Sequence, residues 1–229
     1  MKKRRIMLIA SALAVTAFAL TKIQTVTAYA VEGWMSEGEE WRYLDENDEP
    51  LQNTWRQSRD SWFYLGSQGI MLRDCFIEQG NSLYYVFEDG ARAEHTWVLV
   101  DEADEDGHEA GWYYFGANGK AYRGTASSFK RTVDGRSYIF DESGRMLTGW
   151  FDEDGNPLDE EDNPLEEGVY YADADGALKT EEWLDYSQLE IRGLEDLFSD
   201  ISGRDYNEYD QVWLYFNNRS KKVKSNGDK

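Results

Sequence analysis

Aromatic residues recur in this chain at a short, fixed interval, and this repeat limits the fold more than any other feature of the sequence. Trp34, Trp55, Phe76 and Trp97 follow one another at a constant spacing of 21 residues. A repeat of this length is one supersecondary unit, which cannot bury its apolar face alone and must stack on its neighbours. The spacing therefore predicts a solenoid rather than a single thick globular core.

The stretch from Trp55 to Cys75 indicates what one unit is. Trp55 opens a short extended run, residues 58–61 are typical of a turn, and residues 62–65 form an aromatic return strand. Because successive strand residues point to opposite faces, each unit is a β-hairpin with aromatic or apolar side chains on both faces. A lone hairpin is at best marginally stable in water, so these hairpins must stack on one another.

Seven copies of the return strand can be aligned along the chain. A glycine follows at a fixed offset in five of them, because the turn that leaves the strand needs a positive φ, which glycine reaches without penalty. The sequence therefore predicts an all-β fold, a β-solenoid of about seven stacked β-hairpin repeats. The aligned strands are Trp41–Asp45, Trp62–Gly66, Leu83–Phe87, Trp112–Gly116, Ser137–Asp141, Val169–Asp173 and Val212–Phe216, and the turn residues are Asp48, Gly69, Gly90, Gly119, Gly144, Gly176 and Ser220.

Three stretches are longer than the repeat allows. Residues 101–111 and 152–168 fall where hairpin turns are expected and predict two long acidic tips. Residues 187–210 carry Leu194, Leu197 and Ile201 at helical spacing, which predicts a short helical insertion near the C-terminus. In the fifth copy, Ala126 stands where the spacing places the opening aromatic, so this copy is degenerate.

The first thirty residues have the pattern of a signal peptide. A basic start at residues 2–5 precedes an apolar run from Ile6 to Leu20, and Ala28-Tyr29-Ala30 fits the small-x-small rule for cleavage after Ala30. No later run is long and apolar enough to span a bilayer. The predicted organisation is a signal peptide at 1–30, hairpin repeats at 31–186, the helical insertion at 187–210, and a last partial repeat with a basic tail at 211–229.

The charge balance and the scarcity of reactive side chains restrict the function. The leader holds five basic residues and no acid, so its removal takes the net charge from −21 to −26. This acidity argues against nucleic acid as a partner and is compatible with cationic ligands. His95 and His108 are the only histidines, and no catalytic or metal-binding motif accompanies them, so we predict no enzyme activity, no cofactor and no metal site. The oligomeric state is left open.

Several motifs carry a resemblance to a known family. The segments Gly111–Gly119 and Asp141–Trp150, the latter ending in Thr148-Gly149-Trp150, resemble the cell-wall-binding repeats of Gram-positive surface proteins. That family includes choline-binding repeats and the similar glucan-binding repeats of glucosyltransferases. The resemblance covers roughly residues 33–220. It implies a β-solenoid with ligand sites between consecutive hairpins and a location on the cell wall after secretion.

The resemblance also implies which residues bind ligand. In choline-binding members, a site is a box of aromatic rings formed by the aromatic that opens a hairpin, the tryptophan that begins its return strand, and a ring of the neighbouring hairpin. Both tryptophan positions are matched in three copies, and four tyrosines are candidates for the closing ring. These residues are Trp34 with Trp41, Trp55 with Trp62, Trp97 with Trp112, and Tyr43, Tyr64, Tyr85 and Tyr114.

Aromatic boxes suit a quaternary ammonium ion, which cannot donate a hydrogen bond but is attracted to ring faces. We therefore expect a non-catalytic exported protein that recognises choline on the teichoic acids of the wall. The same rings could stack on sugars, so a glucan or peptidoglycan polysaccharide is the alternative polymer. A third interpretation is an adhesin or scaffold whose repeats bind another protein, with the insertion at 187–210 as its contact. A purely structural role in hairpin stacking also remains open for each ring.

Overall fold

Seven antiparallel β-hairpins follow one another along the computed structural model, which describes residues 32–125, 128–159, 161–186 and 213–223. The prediction of an all-β stack of seven hairpins is confirmed, and the described residues contain no α-helix. The predicted helical insertion at 187–210 and the signal peptide at 1–30 lie outside the described residues. The hairpins are numbered 1 to 7 in chain order.

The strands are short, mostly of five residues. Hairpin 5 carries a third strand, β11, on the free edge of β10. The bounds are β1 (Gly33–Glu37) and β2 (Glu40–Leu44), β3 (Thr54–Ser58) and β4 (Ser61–Leu65), β5 (Cys75–Gln79) and β6 (Ser82–Val86), β7 (Thr96–Val100) and β8 (Gly111–Phe115), β9 (Lys130–Val133), β10 (Arg136–Phe140) and β11 (Met146–Leu147), β12 (Gly149–Phe151) and β13 (Tyr170–Ala172), and β14 (Glu182–Asp185) and β15 (Trp213–Phe216).

The strand register fixes which residues are equivalent in different hairpins. In hairpin 2, Trp55 lies opposite Tyr64, and the opening aromatic has the same kind of partner in every hairpin except the fifth. There, Lys130 lies opposite Ile139 and takes the position of the aromatic. The spacing had placed this missing aromatic at Ala126, which is outside the described residues. The difference arises because the connection that precedes β9 is longer than those before β3, β5 and β7.

One residue beyond each turn joins a hairpin to the hairpin before it, and we call it the linking residue. In hairpin 2 this residue is Met71, which bridges to Leu65 at the end of its own return strand. Its amide donates to the carbonyl oxygen of Trp41 in hairpin 1 at 2.7 Å. Each hairpin is therefore attached to its predecessor by backbone hydrogen bonds at this point. The linking residues of hairpins 2 to 7 are Met71, Arg92, Ala121, Met146, Leu178 and Lys222.

Two physical constraints favour glycine in the turn that follows the return strand. Gly90 has φ of 84°, which L-residues with a side chain rarely adopt. A Cβ atom at Gly90 would also lie 2.6 Å from the Cε of Met71, the linking residue of the preceding hairpin. The five predicted turn glycines all have positive φ, and Asp48 and Ser220 adopt positive φ at the same position in the outer repeats, which confirms the prediction.

The hydrophobic core is thin and divided along the stack. Buried side chains form five small clusters, each drawn mainly from neighbouring hairpins. Leu65, Val86, Phe115 and Phe140 end successive return strands and are almost completely buried. Most of the stability of such a stack comes from contacts between adjacent repeats.

The two acidic tips occupy the positions that the sequence predicts. The first joins β7 to β8 and the second joins β12 to β13. His108 of the first tip is buried, and its Nδ1–H donates a hydrogen bond to the carboxylate of Asp104, 2.7 Å away. Its ring stacks on Phe76 of hairpin 3 with the centroids 4.3 Å apart. Within the part of the chain that the structure describes, no helix has the length and apolar character needed to cross a membrane.

Candidate functional site

Six interfaces between consecutive hairpins repeat one arrangement of four side chains, which we call boxes 1 to 6. Hairpin n gives box n two residues, the opening residue of its first strand and the first residue of its aligned return-strand segment, which are Trp34 and Trp41 in box 1. Hairpin n+1 gives the second residue of its return-strand segment and its linking residue, which are Phe63 and Met71 in box 1. Residue types at these four positions differ between boxes, and so does what fills the space between them.

Box 4 is formed by Trp97, Trp112, Tyr138 and Met146 around a cavity of about 270 Å³. The Trp97 and Tyr138 ring centroids are 4.9 Å apart with the ring planes inclined at 61°. Trp112 is 42% exposed and forms an outer wall. Asp175, from the turn of hairpin 6, also lines the cavity, and among the described residues no basic side chain does. The result is an open aromatic cavity with a carboxylate at its edge.

Box 1 is formed by Trp34, Trp41, Phe63 and Met71. The Trp34 centroid lies 6.5 Å from that of Trp41 and 5.4 Å from that of Phe63, with the ring planes at steep angles. The surrounding cavity measures about 540 Å³. Asp89, from the turn of hairpin 3, lines it together with Arg59 and Arg73. Box 1 is thus also open, but it is wider than box 4 and has basic as well as acidic side chains at its edge.

Box 2 has the same ring types as box 4 but contains a cation of the chain itself. Its rings are Trp55, Trp62 and Tyr84, and its linking residue is Arg92. The Cζ atom of Arg92 lies 5.1 Å from the Trp55 centroid, 5.3 Å from the Trp62 centroid and 5.7 Å from the Tyr84 centroid. The guanidinium therefore occupies the space between the rings.

Box 3 lacks a tryptophan pair. Phe76 and Leu83 replace the two tryptophans, and Tyr113 closes the box with its centroid 4.9 Å from that of Phe76. The imidazole of His108 covers the other side of Phe76, as described above. These contacts make box 3 an apolar part of the core rather than an open cavity.

Boxes 5 and 6 each contain a lysine. In box 5 the Nζ of Lys130 lies 4.3 Å from the Tyr170 centroid. Burial lowers the pKa of Lys130, and the nearby charge of Lys221 lowers it further. In box 6 the linking residue Lys222 places its Nζ 5.6 Å from the Trp150 centroid. As in box 2, the cation that faces the rings belongs to the chain.

The structure brings the three predicted tryptophan pairs to boxes 1, 2 and 4, but it places the predicted tyrosines differently. Tyr43, Tyr64, Tyr85 and Tyr114 lie opposite the opening aromatic of their own hairpin, with centroids 5.0 to 5.4 Å apart. The ring from the next hairpin is the residue before this tyrosine in the return strand. These residues are Phe63, Tyr84, Tyr113 and Tyr138.

Strand alternation was the signal that could have identified these closing rings. Trp62 and Tyr64 share one face of β4, while Phe63 points to the other. When hairpins stack in one direction, the face of one hairpin that carries the Trp62 position contacts the face of the next hairpin that carries the Phe63 position. The closing ring of a box is therefore expected at Phe63 or its equivalent in the next hairpin. The linking residues, in contrast, lie outside the strands except for Met146 of β11, so strand alternation does not identify them.

Three tyrosines around the boxes, Tyr85, Tyr113 and Tyr114, have raised pKa values and are uncharged at neutral pH. Burial raises the pKa of Tyr85, and a hydrogen bond from its hydroxyl to Asp74 at 2.5 Å raises it further. Burial likewise raises the pKa of Tyr113 and Tyr114. Any attraction of these side chains for a cation therefore comes from the ring quadrupole rather than from a phenolate charge.

A larger groove runs beside box 4. It measures about 830 Å³ and shares Trp97 and Trp112 with that box. Phe87 and Leu99 also line it and are exposed, and the acidic and basic side chains of residues 73, 74, 88 and 89 complete its edge. Exposed aromatic and aliphatic side chains here form a second surface on which a ligand could lie.

Comparison with protein families matches two parts of the chain. Residues 49–92 match the choline-binding repeat, and residues 111–121 match the putative cell wall binding repeat. A curated relative, Glucosyltransferase-S of Streptococcus mutans serotype c, is 26% identical over 110 residues, which cover 40% of this chain and 7% of the relative. The chain thus spans a small fraction of that relative's length.

Three solved structures from Streptococcus pneumoniae share the fold. The choline-binding domain of CbpL is 19% identical with a TM-score of 0.52, covering 85% of this chain and 78% of that domain. CbpJ from strain TIGR4 is 21% identical with a TM-score of 0.51, at 84% and 48% coverage. The modular autolysin LytC is 17% identical with a TM-score of 0.50, at 83% and 33% coverage. The chain therefore contains segments that match choline-binding and cell wall binding repeats, and it shares its fold with these three structures.

Proposed function

We propose that the hairpins act as a non-catalytic module that attaches to a cell-wall polymer by enclosing a quaternary ammonium group, such as the choline of teichoic acid, in boxes 1 and 4. The observation that carries this proposal is box 4. Its Trp97, Trp112 and Tyr138 rings surround an open cavity, Asp175 lies at its edge, and no basic side chain in the part of the chain that the structure describes lines it.

The dimensions and the chemistry of box 4 favour a small cation. At about 270 Å³ the cavity is smaller than the roughly 300–1,000 Å³ that is typical of drug-sized ligands, so it suits one headgroup. Each ring face attracts a cation by roughly 0.5–2 kcal/mol. Three rings give a few kcal/mol before ordering costs, and about 4 kcal/mol corresponds to a millimolar Kd.

Two weak sites on one stack would still retain a polymer. A wall polymer that repeats its choline groups can engage boxes 1 and 4 together, which raises the apparent affinity by about 10²–10⁴ without a new contact. This use requires export, and we propose that residues 1–30 are removed as a signal peptide after Ala30. The match of residues 111–121 to the putative cell wall binding repeat supports a location on the cell wall.

Equilibrium dialysis with choline tests the proposal. We expect two choline molecules per wild-type chain and one in each of the variants Trp112→Ala and Trp41→Ala, which remove a wall of box 4 and of box 1. Trp183→Ala is the matched control, because Trp183 is 62% exposed and lies in hairpin 7, outside the six boxes. Full choline binding by the double variant Trp41→Ala/Trp112→Ala would reject these sites.

A glucan is the alternative ligand, and the groove beside box 4 is the observation that favours it. The exposed Phe87, Leu99 and Trp112 side chains could stack on successive sugar rings along its 830 Å³ volume. The similarity to Glucosyltransferase-S supports the same alternative. An isomaltooligosaccharide that binds without competition from choline, and whose binding is lost in Phe87→Ala, would favour this function. A protein-binding role for residues 187–210 stays a prediction, because they lie outside the described residues.

A further inference from the structure

Boxes 2 and 4 form a natural comparison, because their rings are of the same types. Each has two tryptophans and one tyrosine, with the opening tryptophan 5.2 Å from Tyr84 in box 2 and 4.9 Å from Tyr138 in box 4. The linking residue differs. It is Met146 in the open box 4 and Arg92 in box 2, where the guanidinium lies among the three rings.

Several contacts hold Arg92 in this position. Its Nε and Nη2 donate hydrogen bonds to Oε1 of Glu94 at 2.9 and 2.5 Å. Its amide donates to the carbonyl oxygen of Trp62 at 2.8 Å, which fixes the backbone next to the ring that it faces. The turn at Gly119 closes over the side chain so tightly that a Cβ atom there would overlap its Nε. The Arg92 side chain is consequently only 12% exposed.

We infer that Arg92 is a built-in occupant that closes box 2 to external cations, and that the linking residue determines whether an aromatic box is open. All three ring centroids lie within the distance of about 6 Å at which a cation is attracted to a ring. The guanidinium thus makes the contacts that a quaternary ammonium group would make there. This inference rests on the proposed function for the identity of the external ligand.

Box 6 supplies a second example of the same arrangement. Its linking residue, Lys222, directs its Nζ toward the Trp150 ring at 5.6 Å. The same Nζ donates hydrogen bonds to the carbonyl oxygens of Pro164 and Leu165, each at 2.7 Å. A basic linking residue therefore lies against at least one aromatic ring in both boxes that have one, three rings in box 2 and Trp150 in box 6, whereas boxes 1 and 4 have methionine.

The substitution Arg92→Met tests the inference by giving box 2 the linking residue of boxes 1 and 4. Choline is the probe, and dialysis counts the molecules bound per chain. We expect one more bound choline in Arg92→Met than in the wild type, and we expect Arg92→Met/Trp62→Ala to lose that additional molecule. Lys120→Met is the control for charge, because it removes one positive charge from an exposed position outside the boxes and should add no bound choline.

The outcomes separate this inference from the proposed function. A gain of one choline in Arg92→Met upholds the inference, even where the wild type binds none and the proposed function fails. No gain in a folded Arg92→Met chain overturns it, as does an equal gain in Lys120→Met. If circular dichroism shows that Arg92→Met does not fold, Arg92→Leu, which also removes the charge, is used in its place. A gain of one choline then upholds the inference, and no gain overturns it.

Discussion

Two glycines of hairpin 3 offer a test of why the repeat keeps glycine in its turns. Gly80 and Gly90 have φ values of 59° and 84°, so an alanine at either position is placed in the left-handed region. Gly80 has no atom within 4 Å of the position that a Cβ would take, whereas at Gly90 the Cβ would lie 2.6 Å from Cε and 2.9 Å from Sδ of the buried Met71. The two substitutions therefore share the backbone cost and differ in the steric one.

The expected magnitudes follow from these distances. A left-handed alanine costs about 1 kcal/mol, and this is the whole effect that we expect for Gly80→Ala. Forcing extra atoms into a packed site costs a further 1–3 kcal/mol or so. Gly90→Ala should therefore lower the free energy of unfolding by about 2–4 kcal/mol. Because Met71 is the linking residue of box 1, the same variant should also weaken choline binding there and leave box 4 unchanged.

Urea denaturation followed by far-ultraviolet circular dichroism measures both variants against the wild type under the same conditions. Choline dialysis on the folded variants reports on boxes 1 and 4. Equal destabilisation by Gly80→Ala and Gly90→Ala would refute the steric argument. Unchanged binding at box 1 in a clearly destabilised Gly90→Ala would show that the position of Met71 does not affect that site.

Three other predictions concern the rings and charges of the stack. Trp97→Ala should lower the free energy of unfolding by about 3–5 kcal/mol in a thermal unfolding assay, because three rings surround Trp97. Trp112→Ala should lower it much less, because Trp112 is exposed. Burial raises the pKa of Tyr186 to about 12, and Tyr85 also has a raised pKa. Both side chains therefore stay protonated in the folded state at a pH where tyrosine in the unfolded chain ionises, near pH 10 or so. The contribution of these two tyrosines to the free energy of unfolding should be fully present below that pH and should be lost as the pH rises above it. Tyr85→Phe should reduce this alkaline loss in a pH titration followed by circular dichroism. Asp175→Asn should weaken choline binding at box 4 by about twofold to fivefold at low salt. Added salt should reduce the choline affinity of the variant less than that of the wild type.

The repeat made the architecture predictable from the sequence, because a constant spacing of aromatics and glycines is a local pattern. The register, the positive φ values of the turns and the presence of Trp97 and Trp112 at the same cavity all follow from that pattern. Predicting the closing rings also requires knowing which face of a hairpin contacts the next hairpin. Tyr138 closes box 4 for this reason, and Tyr114 does not.

The contents of the boxes could not be predicted in the same way. An arginine at position 92 is visible in the sequence, but its side chain could extend into solvent or fold between the rings. The choice depends on Glu94, two residues further along the chain, and on the turn at Gly119, which comes near Arg92 only after hairpins 3 and 4 have stacked. Lys130 was missed for a related reason, because a longer connection moved the start of β9 and shifted the residue that takes the aromatic position.

In boxes 1 to 4, a turn of the next hairpin but one lies against the linking residue, so each of these boxes is formed by three successive hairpins. Box 1 takes Trp34 and Trp41 from hairpin 1 and Met71 from hairpin 2, and Asp89 and Gly90 of hairpin 3 complete its edge. Repeat proteins are usually treated as chains with coupling only between nearest neighbours. Here the two proposed sites depend on next-nearest neighbours as well. Local unfolding of hairpin 3 or hairpin 6 would therefore disturb a box whose aromatic rings all belong to the two hairpins before it, and a fragment of two hairpins could fold without containing a complete box.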